Sequence, residues 1–401
     1  MDRDGPIIVG GGLGGLTAAL ALARHGFAVR VLEGAPEFGA IGFGIQFGPN
    51  VFHALDRIGV TAAVLNEADS PPAVLMLDAL TGREVTRVST GAAFRQRFKY
   101  PYIVIHRIDL HNVLLDACRR APQIELVDGA MVTRFDDRGD GVGVVTEDGR
   151  SFAGTVLIGA DGIRSHTRAQ LLNDGDPSPN GFMGFRTIVP MGGVTADVRR
   201  DVVALWGGPG FHIVHYPLRH GALFNIVAVF RRSAQSERGD VAAYRSELEH
   251  VYRDAHPTMK ALLAMLDLRR RQAVGDRDPI RHWHGGRVVL LGDAAHPTLQ
   301  SLAQGACMAI EDGVCLADCM ADANGDYEAA FRRYETARSL RTARVTLESR
   351  SIWDVYHADG FAREVHWQML GERSEADMFR CLAWLYDGFR LPKETGAPER
   401  V

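Results

Sequence analysis

At 401 residues the chain is longer than one hydrophobic core usually organises, so two lobes are expected; 46% apolar and 23% charged residues put it among globular proteins. A formal net charge of −4 leaves no basic footprint for nucleic acid. The opening MDRDGP is acidic, and the apolar run from Ile7 to Ala23 is rich in glycine and ends at Arg24-His25. That argues against a signal peptide or a membrane span and makes a cytoplasmic location the expectation.

In chain order, residues 6–12 read as a strand running into glycines, 14–26 as a small-residue helix, and Val29 to Glu33 as the next strand, together a βαβ unit. A helix follows from Asn50 to Ile58, then alternating strands from Ala73 to Val88 and a helix over Ile108–Arg119. Strands are expected near 124–128, 131–136 and 143–147, with Asp140-Gly141 and Asp148-Gly149 at hairpin turns. The chain is β-rich from 182 to 232 and helical over 241–266, and Arg269-Arg270-Arg271 reads as a solvated helix end. An apolar strand resumes at Val288, and helices run from about 327 onward. The five cysteines are odd in number and unpaired in spacing, which fits free thiols; no His joins Cys307, Cys315 and Cys319 on their helix, so a metal site is not expected. His282, His284 and His296 lack an accompanying carboxylate cluster and are likewise not read as metal ligands.

Three motifs carry chemistry. Gly10, Gly12 and Gly15 hold the G-x-G-x-x-G positions between strand and helix, and Glu33 ends the second strand where a carboxylate can accept from a ribose. Asp161-Gly162 closes the apolar strand Thr155–Ile158. In RVVLLGDAAHPTLQSLAQGACMAIED, residues 287–312, Asp293 ends a strand and a helix opens at Gly305, an arrangement suited to a ribityl or ribose hydroxyl beside an anion. Two nucleotide sites about 280 residues apart imply one long dinucleotide. Arg107 opens the helix of HRIDLHNVLL and can meet a phosphate or ribityl oxygen.

In this order and at these spacings the motifs resemble the single-component FAD-dependent aromatic hydroxylases, the family of salicylate and p-hydroxybenzoate hydroxylases, over nearly the whole chain. The fold this implies is α/β. A Rossmann-like FAD-binding domain of the GxGxxG type (residues 1–72, 101–180 and 281–345) interleaves with a β-sheet substrate domain (73–100 and 181–280), and a C-terminal helical region covers 346–401. The resemblance implies FAD as cofactor, NADH or NADPH as co-substrate and O2 as oxidant. Gly10, Gly12, Leu13, Gly15 and Glu33 would hold the ADP half, and Gln46 and Arg107 count among the cofactor contacts. Asp161 and Gly162 would serve both FAD and the nicotinamide donor. Asp293 would hold the ribityl and pyrophosphate side, with Pro297, Gly305 and Ala306 at the flavin ring.

Within that family, GFGIQFGPNVFHAL, HIVHYPL and HPTLQSLAQGACMAIED are most similar to the branch that converts 3-hydroxybenzoate to gentisate. Such chemistry transfers oxygen from an electrophilic flavin C4a-hydroperoxide to a phenol made nucleophilic by a base. On the strand Phe211–Tyr216, His212 and Tyr216 share a face with Val214 while His215 points oppositely. Four residues at about 3.3 Å each separate the first two by roughly 13 Å, too far for a hydrogen-bonded dyad. By itself His212 reads as a satisfied sheet histidine; the resemblance implies instead that His212 is the base, Tyr216 a positioning group and Gln300 the polar contact from the flavin side. Arg186 is a candidate for the substrate carboxylate by its position on a strand. A decarboxylating salicylate 1-hydroxylase is the nearest alternative. The absence of any Cys before Cys118 argues against a flavin disulfide reductase. Intact Asp161-Gly162 and Gly292-Asp293 argue against a non-enzymatic regulator of the same fold. The C-terminal helices are candidates for a homodimer contact.

Overall fold

In this computed structural model, residues 5–39, 42–232 and 241–389 are described. The last twelve residues of the expected C-terminal region, and 233–240 of the expected substrate domain, lie outside them, as do 1–4 and 40–41.

The strand Ile7–Val9 is fully apolar because it is buried on both faces, as a central parallel strand must be. It pairs in parallel with Val29–Leu32 on one side and with Leu157–Gly159 on the other. Ile124–Val127 and Val288–Leu290 extend this parallel sheet outward, and antiparallel His284–Gly285 closes one edge. Two helices, Leu13–Arg24 and Gly305–Asp322, pack against one another over the sheet. Gly313 permits the close approach, since a Cβ there would come within 2.8 Å of the Ala18 nitrogen.

The second sheet has seven strands, in the order Arg271–Asp276, Ser178–Pro190, Leu223–Arg231, Phe211–Leu218, Val203–Gly208, Ala73–Asp78 and Glu84–Ser89. Its alternation divides labour between two faces. Phe211, Ile213 and their neighbours Phe185, Ile226 and Phe230 bury against Tyr244, Leu248, Tyr252, Met259 and Leu262 of the helices Val241–Val251 and Pro257–Ala264. Each such burial contributes about 1.5–3 kcal/mol, so this face anchors the sheet. His215 lies on that side and accepts from Trp206 Nε1 at 3.0 Å. His212, Val214 and Tyr216 face a cavity instead.

Two sequence expectations change here. The helical stretch 241–266 is two helices, broken before Pro257, whose ring suits a first helical turn and not an interior. The triple arginine is not a helix end: the helix stops at Ala264, Arg269 pairs with Asp267 in a turn, and Arg271 starts an edge strand with its guanidinium 4.9 Å from the Tyr244 ring. A two-stranded ribbon not anticipated from sequence, Gly44–Phe47 with Ile103–His106, packs against the second sheet, where Gly44 N–H donates to Asn225 Oδ1 at 2.9 Å. The helix Tyr327–Tyr356 runs unbroken through the expected 345/346 boundary and is followed by Gly360–Gly371 and Glu375–Tyr386. No helix among the described residues is long and apolar enough to cross a membrane.

Candidate active site

One cavity of about 1280 Å³ runs from the Gly-rich loop of the first sheet to the open face of the second. Ligand sites commonly occupy roughly 300–1,000 Å³, so there is room for a dinucleotide and a small second molecule.

At the first end the loop is built to leave space. Gly10 has φ +107°, a conformation side chains rarely adopt, and a Cβ on Gly15 would lie 2.0 Å from the Gly10 carbonyl oxygen. A Cβ on Gly12 would meet nothing within 4 Å, because cavity lies opposite it. Glu33 fixes the loop by accepting from Gly11 N–H at 2.7 Å and Ala35 N–H at 2.8 Å, and it also lines the cavity. His111, which the sequence did not single out, donates from Nε2 to the Gly11 carbonyl at 2.8 Å. Neither the Leu13 nor the Gly305 helix has a side-chain cap, so both offer unpaired backbone N–H groups at termini that reach the cavity.

Asp293 is open to the cavity yet far from the outer surface, and burial raises its pKa against the pull of His296 and Arg107. Such a carboxylate needs hydroxyl donors. Asp161 is held by Ser165 Oγ at 2.6 Å and by Thr167 N–H and Oγ1, both at 3.0 Å, and stands in the wall beside Gly162. These residues fit the ribose, pyrophosphate and ribityl groups of FAD.

Behind this end lies a fully buried charge network. Arg338 donates to Glu311 Oε2 and to Asp312 Oδ1, each at 2.6 Å, and all three are inaccessible to solvent. Asp312 also accepts from His296 Nε2 at 2.5 Å and from Gly292 N–H at 3.1 Å. Burial opposes the charged form of Asp312, but His296 and Arg338 overcome it and hold the carboxyl down to about 2. Arg341 and Asn50 complete the coordination of Glu311. The network ties the Gly292–His296 turn to the helices behind it, and so fixes where Asp293 stands. His282 and His284 stand apart from this network and hold Glu335 instead.

At the other end a row crosses the second sheet. Arg186 pairs with Val227, Val227 with Val214, Val214 with Leu205 and Leu205 with Met76, and every member lines the cavity. Arg186 thus sits two strands, about 10 Å, from the strand of His212 and Tyr216. Its guanidinium donates to Gln300 Oε1 at 2.6 Å and lies 5.9 Å from the Phe43 ring. Among the described residues no carboxylate pairs with it, and burial lowers its pKa from the ordinary arginine value. A half-buried cation on the cavity wall, with no counterion among the described residues, calls for an anionic ligand. The bond also turns the Gln300 amide so that its NH2 remains available. Gln46 accepts from Tyr102 O–H at 2.6 Å and hydrogen-bonds Tyr216, which puts it beside the substrate-end tyrosines.

His212 is buried, and its Nδ1 lies 2.8 Å from His357 Nε2. Burial pushes the His212 pKa well down, and His357 lowers it further. The cavity gathers His212, Tyr216, Gln300, Gly10, Gly12, Leu13, Glu33, Gln46, Arg107, Asp161, Gly162, Asp293, Gly305 and Ala306. Gly15 and Pro297 contribute no lining atom: the first packs against Gly10, and Pro297 is buried next to half-buried Thr298, which lines the cavity. Glu311-Asp312, an acidic pair inside an apolar helical run, is a signal legible in the sequence that the motif pattern alone does not flag. His357 has none, being 145 residues from its partner.

A family model described as "FAD binding domain" matches residues 6–349. The chain is 40% identical over 384 residues to a 3-hydroxybenzoate 6-hydroxylase of Polaromonas naphthalenivorans (strain CJ2), covering 96% of each sequence. It is 40% identical over 380 residues to a protein of the same description from Klebsiella oxytoca, covering 95% of this chain and 96% of the relative. Among solved structures it resembles Klebsiella pneumoniae HpxO complexed with FAD and uric acid, with a TM-score of 0.84, 26% identity, and coverage of 96% and 98%.

Proposed function

The chain belongs to the FAD-binding family of flavoprotein monooxygenases, and from that premise we propose that it hydroxylates 3-hydroxybenzoate para to the phenol, releasing gentisate. The balance is 3-hydroxybenzoate, NADH, H+ and O2 giving gentisate, NAD+ and water. The observation that carries the reading is the single cavity joining a dinucleotide cradle to an arginine that has no carboxylate partner among the described residues and to a buried neutral histidine. The similarity to 3-hydroxybenzoate 6-hydroxylases over nearly the full length supports the substrate.

FAD, when bound, supplies the redox chemistry that activates O2. The chain's own groups do the rest. Gly10, Gly12, Leu13, Gly15 and Glu33 seat the ADP half; Arg107, Asp161, Gly162 and Asp293 take the pyrophosphate and ribityl groups. The Gly305-Ala306 amides, at a helix start lining the cavity, would supply donors to the flavin ring, with the loop at Pro297 setting their place. Arg186 anchors the substrate carboxylate, and the Gln300 amide, held by Arg186, donates to the bound acid. Tyr216, steadied by Gln46, orients the ring. His212 accepts the phenol proton on Nε2, which raises electron density at the ortho and para carbons.

Product identification tests this directly. Gentisate from 3-hydroxybenzoate with stoichiometric NADH use is expected. Catechol from salicylate would instead mark a decarboxylating enzyme, and NADH use without hydroxylated product would demote 3-hydroxybenzoate to an effector. In His212→Ala we expect turnover to fall by about 10²–10⁴-fold with FAD retained. An unchanged rate and pH profile would remove the base assignment. NADH as donor, a cytoplasmic location and a homodimer belong to the same reading. Exposed Phe361, Val365 and Met369, at i, i+4 and i+8 on one C-terminal helix, support the dimer, which sedimentation tests.

A further inference from the structure

A neutral imidazole can act as a base only through the nitrogen that lacks a proton, so the tautomer decides whether His212 accepts from a ligand or donates to it. The surroundings of His212 fix that choice. His357 Nδ1 lies 2.7 Å from the Trp353 carbonyl oxygen. A carbonyl only accepts, so His357 Nδ1 carries a hydrogen. Burial pushes the His357 pKa down to about 3, with the Arg231 charge adding to the effect, so at neutral pH its Nε2 is bare. That bare nitrogen faces His212 Nδ1 at 2.8 Å, and the bond between them requires His212 Nδ1 to donate. The proton of neutral His212 is thereby committed to Nδ1. Its Nε2, which has no partner among the described residues, keeps a lone pair on the cavity side of the strand.

We propose that His357, oriented by the Trp353 carbonyl at the end of the Tyr327–Tyr356 helix, is a positioning residue that locks His212 in the Nδ1–H tautomer and so makes Nε2 the acceptor for the substrate phenol proton. In the step, the phenolic O–H bond breaks, an Nε2–H bond forms, and the resulting imidazolium is stabilised through Nδ1–H donating to His357.

Rings hold the pair in place. His357 sits 4.5 Å from Phe182, 4.7 Å from Trp353 and 4.9 Å from His212 between centroids, and the Trp353 and Tyr356 rings lie 5.3 and 5.9 Å from His212. Tyr252 O–H donates to the His212 carbonyl at 3.1 Å. Arg231, which lies over Phe182 at 5.2 Å, is a fixed positive charge that disfavours protonation of His357. No carboxylate bonds to either histidine among the described residues, so this arrangement selects a tautomer without adding a charge.

The inference rests on the base role proposed for His212, and two measurements separate them. The first is the nitrogen-15 spectrum of the histidine rings in wild-type, FAD-loaded protein without substrate. A protonated Nδ1 and an unprotonated Nε2 on His212 are expected; a protonated Nε2 would overturn the proposal whatever the enzyme's substrate. The second is the pH at which bound 3-hydroxybenzoate ionises, read from its ultraviolet phenolate band. His357→Leu should raise that pH by about one unit or more, and His357→Gln, whose Oε1 can accept from Nδ1–H, should restore much of it. Adding His357→Leu to His212→Ala should change nothing further. An unaltered ionisation pH in folded His357→Leu would overturn the proposal and leave His212 as the base. An unaltered ionisation pH in His212→Ala would remove the base and leave the tautomer result standing. Should His357→Leu lose FAD or unfold, the wild-type spectrum still decides.

Discussion

The two ends of the cavity manage buried polarity in opposite ways. Behind the cofactor end, Arg338, Glu311, Asp312 and His296 form a network in which every charge has a partner. At the substrate end, Arg186 has no counterion among the described residues, and burial holds His212 and His357 neutral. A paired network holds its shape without a ligand. An unpaired cation and a neutral acceptor are held at a disadvantage by the fold and are relieved by the molecule that binds there. One end is finished in the protein alone, while the other is completed by substrate.

The sharpest way to break this contrast is to remove one arginine from each end. Arg338→Leu removes the one cation that touches both buried carboxylates, leaving Glu311 to Arg341 and Asn50 and Asp312 to His296 and Gly292, and should cost about 3–5 kcal/mol in a denaturant or thermal unfolding experiment. Arg186→Met should leave the substrate-free protein as stable as wild type, or more so, while weakening 3-hydroxybenzoate binding by about 1.5–3 kcal/mol, roughly ten- to a hundredfold in Kd. If Arg186→Met destabilised the protein as much as Arg338→Leu does, the contrast would be lost.

The next effect is a slope. His212, His215 and His357 are held neutral by burial, His215 and His357 down to about 3, so between those depressed values and the ordinary histidine value the unfolded chain binds more protons than the folded one. Stability is therefore full above about pH 6.5 and is lost as pH falls, by up to about 1.4 kcal/mol per pH unit for each histidine. His357→Gln should flatten the acid limb of a stability–pH curve by about that amount; an unchanged slope would mean that His357 is already charged in the fold. The smallest effect belongs to Gly12. With nothing within 4 Å of an added Cβ, Gly12→Ala should shift unfolding by under about 0.5 kcal/mol yet reduce FAD retention, since the methyl group enters space the pyrophosphate would use.

Legibility in the sequence followed locality. The βαβ unit with Gly10, Gly12, Gly15 and Glu33 could be read because its strand, turn, helix and acid lie within one short segment, where backbone needs dictate residue types. The cavity-facing alternation of His212, Val214 and Tyr216 could be read because a strand has a period of two. Gln46 was assigned by resemblance to the cofactor, but its partners Tyr102 and Tyr216 come from other strands. The ribbon Gly44–Phe47 with Ile103–His106 was not legible because two four-residue strands far apart in the chain leave little periodicity to detect.

By itself, then, the sequence determined the cofactor cradle, the two-sheet organisation and the strand face from which a base would act, since each depends on patterns repeated over a few residues. Only the tertiary structure decided that Arg186 donates to Gln300 with no carboxylate partner among the described residues, that Arg338 bonds two buried carboxylates, and that His357 stands against Nδ1 of His212. Those are properties of contacts between residues 26 to 145 positions apart, where the chemistry of a side chain is set by what packs against it rather than by its neighbours in the chain.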